Sequence, residues 1–121
     1  MNQRISKLAA TAALIGLAGV SAGAHAADAE NGKNLVASHN CAACHGATLN
    51  NPVSPEYPKL AGQFNDYIFF ALRSYQVGGG NPLFGRNNAI MAAQVQGLSE
   101  SDLRDIGAYI QSLPGDLVQK K

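Results

Sequence analysis

The sequence predicts an all-α domain in which three main helices are joined by long loops. Three segments place apolar residues at helical spacing between recognisable cap signals. Nothing alternates in the manner of a strand for more than a few residues, and the connecting stretches are rich in Gly, Pro and Asn.

The chain starts with a stretch that reads as a targeting segment. Arg4 and Lys7 precede an apolar run from Leu8 to Val20, and Ala24-His25-Ala26 supplies an A-x-A cleavage site. The 13-residue run is shorter than the ~20 residues that a membrane helix needs. Residues 1–26 are therefore expected to be a cleaved signal peptide, leaving a single domain at 27–121, exported and not inserted in the membrane.

The first helix is expected over about Asp28 to Ser38, with Asp28 as N-cap and Gly32, Leu35, Val36 and His39 on one face. The second runs from about Asn65 to Val77. Tyr67, Ile68, Ala71, Leu72 and Tyr75 recur at helical spacing, and Gly78-Gly79-Gly80 ends it. The third, from about Ser99 to Leu113, has the clearest signals: Ser99 with Asp102 as a capping box, Leu98 and Leu103 as a hydrophobic staple, and Leu103, Ile106, Ile110 and Leu113 on the apolar face. Pro114-Gly115 stops it, and a further helical turn fits Ile90 to Gln96. The loops Gly46–Gly62 and Gly78–Ala89 are long for so small a domain, which makes sense if they wrap something.

After cleavage, seven Lys/Arg stand against eight Asp/Glu with no basic block or stripe, so nucleic-acid binding has no electrostatic support. A domain of 95 residues has a small core, and such exported domains usually add disulfides, a metal or another insert. The only two cysteines are three residues apart and cannot form a disulfide framework.

Those cysteines lie in Cys41-Ala42-Ala43-Cys44-His45, the C-x-x-C-H attachment signature for c-type haem. On a helical turn, residues i and i+3 face the same way. Two thiols so placed can reach two vinyl groups of one porphyrin and form thioethers, while His45 lies under the ring and can ligate iron. A dithiol oxidoreductase would need a βαβ context, which is missing. A zinc site would need a fourth ligand. A local disulfide would contribute little to the fold. For the second axial position the mature chain offers one methionine, Met91, and one other histidine, His39, which is tethered close to the first ligand. Met91 could fill a gap in the core. The ligand role is favoured, because His/Met ligation is the cytochrome c arrangement and no other soft donor is present.

Over nearly the whole mature chain the sequence resembles the class I cytochrome c family. It is most similar to periplasmic c-553-type monohaem cytochromes and to one half of the related dihaem proteins. The resemblance is carried by Cys41 to Gly46, Pro58-Lys59-Leu60-Ala61-Gly62-Gln63 with Tyr67, Arg86 to Met91, and Leu98-Ser99 through Ala108-Tyr109. It implies a class I cytochrome c fold wrapped round one covalent haem c. The first and last helices would cross, with Gly32 allowing close approach and Ile106 and Tyr109 packing there. It also implies a proline carbonyl that accepts the ring N–H of His45, by position Pro55, with Pro52 and Pro58 as loop stiffeners. Arg86 and Gln63 are placed as contacts to the haem propionates. The function implied is one-electron transfer in the periplasm between redox proteins that dock weakly and transiently. The rivals are a fixed electron-entry subunit of a larger oxidoreductase, and a haem sensor or enzyme with a labile sixth ligand.

Overall fold

The computed structural model describes residues 26–117; the signal-peptide reading of residues 1–26 lies almost wholly outside them. Five helices follow one another: α1 (Ala29–Ser38), α2 (Ala42–His45), α3 (Asn65–Val77), α4 (Ala89–Val95) and α5 (Glu100–Ser112). There is no strand among the described residues. The three long helices are those read from the sequence, and α4 is the extra helical turn.

The helix ends follow from their caps. The Asp28 carboxylate accepts the backbone N–H groups of Glu30 and Asn31, donors that the first turn cannot satisfy internally. At α5 the Ser99 hydroxyl accepts from Asp102 N–H and the Asp102 carboxylate accepts from Ser99 N–H, a reciprocal capping box. Asn88 caps α4 by accepting the Met91 N–H at 2.9 Å.

α1 crosses α5 closely. Gly32 makes this possible, because a Cβ there would lie inside the Asp105 carbonyl. The Asp105 side chain bolts the same crossing from the other side. Buried itself, it accepts Asp28 N–H at 2.7 Å and Asn31 Nδ2 at 2.8 Å, so its charge is met by two donors. α3 packs on α5 as well, tied at its start by Asn65 N–H donating to Gln111 Oε1 at 2.7 Å. The core joining these helices is Val36, Leu49, Ala61, Ile68, Ile106 and Ile110, with Tyr109 packed against it.

Leu49, from the loop after α2, is one of the most deeply buried side chains although its backbone takes a left-handed φ of 56°. Its carbonyl accepts both Leu60 N–H and Ala61 N–H, closing the Gly46–Gly62 loop on itself. Gly62 N–H then donates to the Ile110 carbonyl and fastens the loop to α5. The chain is thereby folded round one side of the helical frame, where a cavity opens.

Candidate functional site

The site begins where α1 ends. His39 caps α1, and Asn40 takes a left-handed φ of 52°, a conformation that asparagine tolerates. That single residue turns the chain into α2, with Cys41 as its N-cap and His45 as its last residue. Gly46 follows with φ 86°, and a Cβ there would collide with the Asn51 carbonyl. The loop therefore folds back against the residue that follows His45, an approach that favours glycine at position 46.

His45 is buried, and its Nδ1 lies 2.9 Å from the carbonyl oxygen of Pro58. A carbonyl can only accept, so Nδ1 carries the proton and donates it. In the neutral ring that tautomer keeps the lone pair on Nε2, the nitrogen then available to a metal. This corrects the assignment of Pro55. Pro55 is exposed at the second position of a turn closed by Tyr57 N–H donating to the Ser54 carbonyl at 3.1 Å, a position proline favours. The turn reverses the chain, and the carbonyl it brings to His45 is that of Pro58. Pro58 is thus more than a loop stiffener. Tyr57 adds an edge-on ring contact to His45, centroids 6.3 Å apart.

Cys41 and Cys44 are unbridged. Burial pushes the Cys41 thiol above its ordinary pKa, and the neighbouring Cys44 adds to the effect. Both thiols, His45 and Met91 line one cleft of ≈ 500 Å³, within the ~300–1,000 Å³ typical of cofactor sites. Leu60, Ile68, Leu72, Ile106 and Ile110 contribute to its apolar wall. Met91 enters on the first turn of α4. His39 reaches the same cleft from the α1–α2 corner.

Arg86 and Gln63 also border the cleft. The Arg86 guanidinium carbon lies 5.8 Å from the ring centre of Tyr67 and 5.6 Å from that of Tyr75, and the Tyr67 hydroxyl leads the contacts that raise its pKa further. The two tyrosines lie about two turns apart on α3; the sequence shows them only as part of a helical repeat, not as a cradle for Arg86. Gln63 uses Oε1 to accept the Phe64 N–H at 2.9 Å.

The donor chemistry fits haem c. Two free thiols three residues apart can form thioethers, an imidazole is oriented by its Nδ1 contact to Pro58, and a thioether sulfur shares the same apolar cleft. Comparison with known proteins agrees. A model of the cytochrome c family matches residues 29–114, and the chain belongs to that family. It is 39% identical over 121 residues to cytochrome c4 of Stutzerimonas stutzeri, covering 97% of this chain and 53% of that protein. It is 38% identical over 87 residues to cytochrome c-554(548) of Halomonas halodenitrificans, covering 72% of this chain and 98% of that one. A crystal structure of reduced recombinant cytochrome c4 from Pseudomonas stutzeri superposes with a TM-score of 0.65 at 39% identity, covering 76% of this chain and 48% of that one. The chain thus spans about half the length of the cytochrome c4 proteins it matches. The fold is the class I cytochrome c fold, and its cofactor is covalently bound haem c with iron.

Proposed function

We propose that this chain is a periplasmic one-electron carrier that holds a single haem c, attached at Cys41 and Cys44, between His45 and Met91. The observation that carries the reading is the Nδ1 hydrogen bond of His45 to Pro58. It occupies Nδ1 and so leaves Nε2 as the nitrogen for ligation, in a cleft that Met91 also lines. The bound haem supplies a one-electron Fe(II)/Fe(III) couple. The residues set its character. The Met91 thioether, soft and neutral, favours the ferrous state and raises the potential. The apolar walls at Leu60, Ile68 and Leu72 act in the same direction by penalising the extra positive charge of the ferric state. Arg86, steadied by Tyr67 and Tyr75, and Gln63, both lining the cleft, would meet the propionate carboxylates.

Were His45 and Met91 both to ligate the iron, no coordination site would be left for a substrate, which supports the reading as a carrier. Its partners are redox proteins that dock weakly through a small interface. Export is supported by the leader-like residues 1–26, and among the described residues no helix is long and apolar enough to cross a membrane.

Visible and near-infrared spectra of the oxidised and reduced protein test this directly. Unsubstituted protein should be low-spin with a sulfur-to-iron band. Met91→Ala should lose that band, lower the potential and let carbon monoxide bind the ferrous form. An unchanged spectrum in Met91→Ala would remove Met91 from the iron.

A further inference from the structure

We infer that Gln76 is a positioning residue whose side-chain amide clasps the end of α4 and holds Met91 in the cleft against displacement. The inference rests on the ligation by Met91 proposed above.

α4 is poorly equipped to stay in place alone. It has seven residues, well below the ~12–15 at which an isolated helix becomes even marginal. Val95 is its only buried side chain, and Ile90, next to Met91, is exposed. The helix must therefore be held by something other than its own apolar face. α3 supplies the hold at both ends of the segment. At the entry, Arg86 N–H donates to the Ser74 carbonyl at 2.9 Å. At the exit, Gln76 Nε2 donates to the Val95 carbonyl and to the Leu98 carbonyl, each at 2.8 Å. A primary amide has two N–H donors, and both are spent here.

The amide is itself oriented. Its Oε1 accepts from Arg73 Nη1 at 3.2 Å, and Arg73 Nε pairs with Glu100 Oε1 at 3.5 Å. Oxygen thus faces Arg73 and nitrogen faces the two carbonyls, and the reverse orientation would set carbonyl against carbonyl. Val95 lies four residues after Met91, one turn along the same face of α4. Fixing the Val95 carbonyl therefore fixes the turn from which the Met91 side chain projects. Gln76 touches neither iron nor haem in this account; it acts through α4.

The test is competition for the Met91 position. Imidazole is titrated into the ferric, haem-loaded protein, and the loss of the sulfur-to-iron band is followed. Gln76→Ala should bind imidazole on the order of tenfold more tightly, since two hydrogen bonds that favour the closed segment are gone. Gln76→Leu, which keeps most of the side-chain bulk, should do the same and replaces Gln76→Ala if that variant does not accumulate. Asn31→Ala cuts the Asn31–Asp105 bond at the distant α1–α5 crossing. It should lower the melting temperature and leave imidazole affinity unchanged, which separates positioning from general loosening. Imidazole affinity within twofold of the unsubstituted protein in both Gln76 variants, with Met91→Ala binding much more tightly, overturns the clasp alone. If Met91→Ala also shows unchanged affinity and spectrum, the axial role of Met91 fails and the clasp with it.

Discussion

The two sides of this small domain are built on different terms. On one side α1 and α3 each close against α5 with groups the chain itself supplies: Gly32 under the Asp105 carbonyl, Asp105 on Asp28 and Asn31, caps at Asp28 and Ser99, and an aliphatic core from Val36 to Ile110. On the other side the two long loops and α4 surround a cleft. There Val53, Leu83 and Ile90 stay exposed, Leu83 almost entirely so at 96%. The loops are held by turns, by ties to α3 and α5, and by the walls of a cavity that needs a large apolar group to complete its packing. One half is a frame that specifies itself, and the other is a wrapping that specifies its cofactor. Small domains commonly divide the work in this way, because a core of under a hundred residues rarely suffices alone.

The sharpest way to break that comparison is to withhold the cofactor. A Cys41→Ala/Cys44→Ala double variant cannot form the thioethers, and its cleft should lose the group that the loops enclose. We expect most of the helical circular dichroism to disappear, because the frame alone has too little core to offset chain entropy. Native-like helix content in the haem-free variant would show that α1, α3 and α5 stand without the wrapping. The frame would then be more than a partial structure.

A smaller but still large effect should come from the frame itself. Gly32→Ala improves helix propensity by ~1 kcal/mol. Its Cβ, however, would fall on the Asp105 backbone carbonyl, and backbone cannot step aside as a side-chain tip can. Overpacking costs ~1–3 kcal/mol, and a clash between two backbones belongs at or beyond the upper end. A net loss of about 2 kcal/mol in denaturant unfolding of the haem-loaded protein is expected, with the spectrum of the iron unchanged. A perturbed spectrum would mean that the displacement at the crossing carries through Ile106 into the cleft wall.

The same division explains how much could be read from the sequence. The frame was legible because its signals are local: the Asp28 and Ser99 caps, the periodic Ile and Leu of α5, the Gly78 stop after α3. The attachment motif was legible for the same reason, its three groups lying within five residues. What was missed depends on distance along the chain. Pro55 and Pro58 look equivalent in a proline-rich loop, and only the reversal at Ser54–Tyr57 decides whose carbonyl meets His45. Leu49 sits in a polar stretch, and nothing local announces that a left-handed residue there carries its side chain into the core. Gln76 reads as a polar residue near a helix end, because its two acceptors lie 19 and 22 residues downstream. Tyr67 and Tyr75 show in the sequence only as part of a helical repeat, yet Tyr67 is half-exposed and both face Arg86.

The mildest test sharpens the comparison from the side of the frame. The Ser99 hydroxyl, and after it the Ser99 backbone N–H, holds the Asp102 carboxyl below the usual carboxylate range. A carboxyl whose pKa is lowered by folding stabilises the fold above its unfolded value, ~3.9, and that contribution fades as pH falls through the folded value. Ser99→Ala removes the hydroxyl from the capping box and should cost about 1 kcal/mol at neutral pH. For a domain of this size that corresponds to a fall of ~4–8 °C in melting temperature. The gap between Ser99→Ala and the unsubstituted protein should narrow as pH falls below the unfolded value of ~3.9 and through the lowered folded one. The Ser99 hydroxyl bonds only within the capping box, to Asp102, which does not line the cleft, so the iron spectrum should not move. A gap that stayed constant down to low pH would mean that the hydroxyl acts on the helix N–H groups alone, with the Asp102 charge adding nothing to the frame.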